Sequence, residues 1–271
     1  MTSTPTGPTI GVFDSGFGGL TVLRALLPLV PGARYLYLGD TARLPYGSKS
    51  RQTIARYAIS SANFLADQGA DRIVIACNTA TALALDDLRG SLSIPITGVI
   101  EPGAQAVANV SSAGHVIVLA TEATVQSRAY TRALKALGLK ATEKACPLLV
   151  PLVEEGWTSH PVTAEVLRIY LSEALAAAPD ATTLLLGCTH YPLLTPLIEC
   201  TLTELGRPLT IIDSAGATAA AVAASIPASP GVTAQPTCKF FATDSIEKFQ
   251  RLGARFLGQP LDKVELLDLD G

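Results

Sequence analysis

Two cysteines occupy matching settings in this chain. In IVIACNTAT, Cys77 closes an apolar run and is followed by Asn78 and Thr79; in LLLGCTHYP, Cys188 closes another and is followed by Thr189 and His190. A thiol at a strand's end, just ahead of a helix N-terminus, meets a partial positive charge that favours the thiolate. Two thiols presented alike by two halves of a duplicated fold would flank one substrate from opposite sides. The alternative is a pair of inert cysteines, since a free cysteine is commonly a small buried hydrophobe. Cys146, Cys200 and Cys238 read that way, and five scattered cysteines without a CxxC pair argue against a disulfide framework.

His190 stands two residues beyond Cys188, on a loop where its imidazole could handle a proton. A zinc site from Cys77, Cys188 and His190 would lack local ligand pairing. His115 and His160 have no companion residues of interest. The glycine cluster GVFDSGFGG puts Asp14 and Ser15 at another strand end. Its spacing fails the dinucleotide pattern, because counting from Gly16 the third position is Thr21, and no P-loop lysine follows. Small-anion capture by backbone N–H groups and a plain glycine turn both stay open. PYGSKS, with Tyr46 and Gly47, reads alone as a turn, and Glu154 and Glu155 read alone as a solvated pair.

The elements that must position these residues are legible as short apolar runs separated by helical patterns. TIGVF, YLYLG, RIVIA, PITGVI, HVIVLA, TTLLLG and LTIID read as parallel strands buried on both faces. Helices are expected over 18–29, 50–68, 79–88, 124–136, 162–178 and 193–205. Alternation of this kind predicts an α/β fold whose ligands sit at the strands' C-terminal ends. Those ends carry Asp14 and Ser15, Asp40 and Thr41, Cys77 to Thr79, Thr121, and Cys188 to His190. The likeness of the Cys77 and Cys188 segments suggests two related halves. The expected division is a first lobe of 1–98 plus 210–271 and a second of 99–209, with an exposed loop at Ser225–Pro236.

Composition narrows the partners. The chain has 271 residues, with 20 Lys and Arg against 23 Asp and Glu, a formal net charge of −3. No basic footprint for nucleic acid or an anionic membrane is present. Its uncharged stretches are too short or too weakly apolar to span a bilayer. MTSTPTGPT shows no basic n-region and no apolar h-region, so the expectation is a cytoplasmic protein.

Taken together, GVFDSGFGGLTVL, DTARLPYGSKS, ACNTATA, GVIEPGA, TEATVQSRAY, ACPLLVPLVEEG and GCTHYPLL resemble the glutamate racemase family, in that family's order and across about residues 10 to 215. The resemblance implies a cofactor-independent isomerase that interconverts L- and D-glutamate and supplies D-glutamate for peptidoglycan. It implies two α/β lobes, pseudo-two-fold related with mainly parallel sheets, and an active site in the cleft between them. Cys77 and Cys188 match the two catalytic cysteines. Asp14 and Ser15, Tyr46 and Gly47, Asn78 and Thr79, and Thr189 and His190 match substrate-binding pairs; Thr121 joins them from its strand end. Asp14 would assist the first cysteine, and Glu154 with His190 the second, with Glu155 as the neighbouring register. Ala120 departs from the glycine common in the family before Thr121. No metal or cofactor is expected, glutamate is the expected partner, and a homodimer is an assembly the resemblance admits. An aspartate racemase, or a binding protein that holds a dicarboxylate without turnover, is the alternative.

Overall fold

A computed structural model describes residues 7–111, 114–227 and 234–269. The first sheet is built around β1 (Thr9–Asp14), which α1 (Leu20–Leu26) follows; next come β2 (Arg34–Gly39), α2 (Arg51–Asp67), β3 (Arg72–Ile75), α3 (Asn78–Ser91) and β4 (Ile96–Gly98). Helix α4 (Ile100–Val110) leads into β5 (His115–Ala120), α5 (Glu122–Ser127), α6 (Ala129–Ala136), β6 (Lys140–Ala145), α7 (Leu149–Glu154), α8 (Pro161–Ala177), β7 (Ala181–Gly187), α9 (Thr195–Glu204) and β8 (Thr210–Asp213). The chain then forms α10 (Ser214–Ala224), β9 (Thr237–Ala242), α11 (Ile246–Leu257) and β10 (Val264–Leu266).

All pairings are parallel, in two sheets of order β10-β9-β2-β1-β3-β4 and β6-β5-β7-β8. The run β2-β1-β3-β4 repeats as β6-β5-β7-β8, so Cys77 after β3 and Cys188 after β7 hold equivalent places. This is the α/β architecture of two similar lobes that the sequence implies. The central strands are apolar because both faces are covered: every residue of β5 is buried.

Three differences from expectation bear on this frame. Thr210–Asp213, expected in the first lobe, pairs with β7 as the edge of the second sheet, the counterpart of β4. The return to the first sheet comes after it, through α10, β9 and β10. The helix expected over 124–136 is two helices, broken at Arg128 with φ +56°. There Ser127 Oγ donates to Thr124 O at 2.6 Å and accepts the Ala129 N–H at 3.1 Å, in place of regular helix bonding. Strand β6, KATEKA, went unexpected because it is an edge strand with charged side chains rather than an apolar run. Of the expected Ser225–Pro236 loop, residues 228–233 lie outside the described residues, as do residues 1–6 of the N-terminal segment. Among the described residues no helix is long and apolar enough to cross a membrane.

Candidate active site

The strands' C-terminal ends and the loops beyond them enclose a cleft of about 520 Å³. Into it come Ser15 after β1, Cys77, Asn78 and Thr79 after β3, Thr121 after β5 and Cys188, Thr189 and His190 after β7, with Tyr46 and Gly47 from a short turn and Glu154 from α7. Residues distant in sequence thus meet because parallel strands all deliver their following loops to the same edge. A second cleft, about 550 Å³ between α3, α4 and α6, contains none of them.

The two thiols sit in unlike surroundings. Cys77 caps α3, its sulfur accepting the Ala80 N–H at 3.4 Å and its S–H donating to Ser15 Oγ at 3.4 Å. Burial, and then the nearby Asp14, push its pKa up to about 12 against those hydrogen bonds, so Cys77 keeps its proton at neutral pH. Cys188 Sγ lies 3.9 Å from His190 Nδ1, and His190 Nε2 lies 3.4 Å from Glu154 Oε1. Burial alone would strip His190 of its proton, but hydrogen bonds and charge from Cys188 and Glu154 outweigh it and raise the pKa to about 10. Burial likewise opposes the charge of Glu154, yet His190 and Lys248 hold its pKa below the usual value. The Cys188 side therefore carries an imidazolium and a carboxylate, and the Cys77 side a protonated thiol.

Polar groups between the thiols are suited to carboxylates. Tyr130 OH donates to Asn78 Oδ1 at 2.6 Å, which turns the amide, while Asn78 Nδ2 is buried with no hydrogen-bond partner among the described residues. An amide N–H left unpaired beside a cleft suits an acceptor such as a carboxylate oxygen. Thr79 Oγ1 and Thr121 Oγ1, which follow strands of different sheets, lie 2.9 Å apart, and Thr124 Oγ1 lies 2.9 Å from Thr121 Oγ1. The first turn of α3 adds backbone N–H groups and a favourable dipole.

Two expected residues are placed differently from the rest. Asp14 is 1% exposed and does not line the cleft; its Oδ2 accepts the Gly16 N–H at 2.8 Å, and burial raises its pKa against His190 and the backbone N–H groups. Tyr46 lines the cleft, but its hydroxyl donates to Asp40 Oδ2 at 2.5 Å, so it holds the turn that presents Gly47. Glu154, not Glu155, meets His190. Among the described residues no group of three or more His, Cys, Asp or Glu could hold a metal ion.

A family model described as Asp/Glu/Hydantoin racemase matches residues 10–222. The chain belongs to the Asp/Glu/Hydantoin racemase family. Within this racemase family it is 51% identical to a glutamate racemase of Koribacter versatilis, over 97% of this chain and 98% of that one. A glutamate racemase of Geobacter metallireducens is 44% identical over 96% and 97% of the two chains. Among solved structures, the Thermus thermophilus glutamate racemase in complex with β-chloro-D-alanine superposes with a TM-score of 0.86 at 42% identity, covering 98% of this chain and 99% of that one. The Francisella tularensis enzyme in complex with D-glutamate gives 0.85 at 34% identity, covering 97% and 98%.

Three residues that shape the site carried no signal of that role in the sequence. Tyr130 lies inside TEATVQSRAY but acts on the site through its hydrogen bond to Asn78. Lys248, on α11 far along the chain, lines the cleft with Nζ 3.7 Å from Glu154 Oε2. Gly18 has a role that the phosphate-loop reading did not anticipate. A Cβ there would overlap Thr189 Oγ1 and lie 2.5 Å from His190 Nδ1, so glycine is required for the first-lobe loop to approach the Cys188 loop. Both neighbours are buried but border the cleft, so an added methyl would push their side chains out of place toward it. Gly18→Ala is accordingly expected to lower kcat/KM about tenfold by displacing His190. Steady-state kinetics check this, and unchanged activity would contradict the close approach.

Proposed function

We infer that this protein is a glutamate racemase, an isomerase that interconverts L- and D-glutamate by removing the α-proton at one thiol and delivering a proton from the other. The observation that carries the reading is the equivalent placement of Cys77 and Cys188 at the ends of β3 and β7, both facing one cleft. Inversion at carbon needs a base on one face and an acid on the other, and two thiols exchange these roles when the direction reverses.

The unlike partners assign the thiols. Cys188 takes the α-proton of L-glutamate as a thiolate and becomes a thiol; the neighbouring His190 imidazolium balances the sulfur's negative charge before the proton arrives. Cys77, a thiol held protonated, delivers its proton to the other face. In the reverse direction Cys77 acts as base toward D-glutamate and Cys188 returns the proton. Asp14, buried and close enough to Cys77 to act on its ionisation, is the group placed to assist that thiol. Ser15, Gly47, Asn78, Thr79, Thr121 and Thr189 hold the substrate through hydroxyl, amide and backbone donors. These donors also meet the charge that develops on the α-carboxylate as the carbanion forms, in a cleft that restricts water.

This reading uses two lobes, residues 1–98 with 214–271 and residues 99–213, with the cleft between them. The product is D-glutamate for peptidoglycan synthesis, made in the cytoplasm without a cofactor. The test is to supply L-glutamate to the purified protein and follow optical rotation, with L-aspartate in parallel, before and after dialysis against a chelator. The expected result is loss of rotation with glutamate, much slower change with aspartate, and the same rate after dialysis. No change with glutamate, faster turnover of aspartate, or loss of activity on chelation overturns the corresponding part.

A further inference from the structure

We propose that Lys248 is a positioning residue for proton transfer at Cys188, reaching from α11 to hold Glu154 against His190. The proposal rests on the two-thiol reading above and deepens it. Helix α11 belongs to the tail that returns to the first sheet, whereas Glu154 ends α7 beside the second. Lys248 and Glu154 therefore meet only through the tertiary fold.

The two oxygens of Glu154 are divided between two cations. Oε2 lies 3.7 Å from Lys248 Nζ, and Oε1 lies 3.4 Å from His190 Nε2. Contacts at both oxygens restrict the carboxylate's rotation and so the face it offers to the imidazole. Each neighbour is itself held. Lys248 Nζ sits 5.5 Å from the centre of the Phe17 ring, a cation–π distance, and the edge of Phe256 packs against His190 with centroids 4.9 Å apart. The line continues to Cys188 Sγ, 3.9 Å from His190 Nδ1. No corresponding lysine or arginine faces Cys77 in the cleft, for among its lining residues Lys248 is the one lysine or arginine, set against Glu122, Glu154 and Glu155.

Position along this line sets the size and direction of the effect. The Lys248 side chain is 48% exposed and that of Glu154 only 19%, so solvent screens the outer pair and its loss is partial. Removing the ammonium frees Oε2, loosens Glu154, and leaves His190 less firmly oriented toward Cys188. Transfer at Cys188 slows while transfer at Cys77 does not. A direct role in binding a substrate carboxylate makes the opposite prediction, a raised KM with the chemistry intact.

The experiment compares wild type, Lys248→Met and Lys248→Arg in both directions, with α-protiated and α-deuterated L- and D-glutamate. Methionine keeps the length of the stem without its charge, and arginine restores the charge. Lys248→Met is expected to lower kcat from L-glutamate about fivefold with KM within about twofold. The primary isotope effect should rise with deuterated L-glutamate and fall with deuterated D-glutamate, as the Cys188 step becomes the slower one. Lys248→Arg should restore both. A raised KM with unchanged isotope effects assigns Lys248 to substrate binding and overturns the proposal, as do isotope effects that are unchanged or that change equally in both directions. A wild-type protein that leaves glutamate unracemised overturns the reading of the reaction instead, so the two failures are distinct.

Discussion

Replacing Cys188 by alanine is expected to lower racemisation from either enantiomer by about 10²–10⁴-fold, the range for loss of a directly acting acid or base. The variant should nevertheless exchange the α-proton of D-glutamate with solvent deuterium. Cys77 and the donors around Ser15, Asn78 and Thr79 remain, so Cys77 still removes that proton and returns a solvent-derived one to the same face. Cys77→Ala should do the converse, exchanging L-glutamate through Cys188 without inverting it. Proton NMR in deuterium oxide reads exchange, and optical rotation reads inversion. The side chains are small and buried, and thermal denaturation of each variant reports any loss of folded protein separately. Retained racemisation in either variant would overturn the two-thiol mechanism, and exchange of the wrong enantiomer would reverse the assignment of faces.

His190→Asn is expected to cost roughly tenfold to a hundredfold in kcat, less than loss of a direct acid or base. Asparagine supplies a hydrogen bond toward Cys188 or Glu154 but cannot carry the positive charge that joins them. The two enantiomers have equal free energies in water, so kcat/KM must fall alike in both directions. The directional signal is again the primary isotope effect, which should grow more from L-glutamate than from D-glutamate. The same substitution changes stability with pH. The folded-state pKa of His190 is raised to about 10 from an ordinary 6.5, because hydrogen bonds and charge from Cys188 and Glu154 outweigh its burial. The imidazolium's contribution to stability is thus complete below about pH 6.5 and is lost as pH rises through about 10. Urea denaturation across that range should show the stability difference between wild type and His190→Asn narrowing with rising pH. A constant difference would mean that His190 is neutral in the folded protein.

The residues of the candidate site were legible because parallel strands are local objects. An apolar run of five or six residues marks a strand wherever it lies, and its last residue marks the edge at which loops gather. Ser15, Cys77, Thr121 and Cys188 were found in this way, and all four line the cleft. Strand β6 escaped because an edge strand has no need of an apolar run, and the break at Arg128 escaped because Ser127 competes for backbone bonds in a segment with an uninterrupted helical pattern.

By itself the sequence determined the α/β class, the two equivalent cysteine-bearing strand ends and most of the polar groups around them, since each depends on short-range patterning. Only the tertiary structure decided which polar group meets which. It set Glu154 rather than Glu155 against His190, turned Asn78 through Tyr130, buried Asp14 against the Gly16 N–H and brought Lys248 to Glu154 from the returning tail. It also transferred Thr210–Asp213 to the second sheet and made Gly18 a point of close approach. The physical reason is the same in each case. Contacts between elements far apart in the chain depend on sheet order and side-chain packing, and a hydrogen bond or a charge effect turns on separations of a few tenths of an ångström to a few ångströms, which no local pattern of residues specifies.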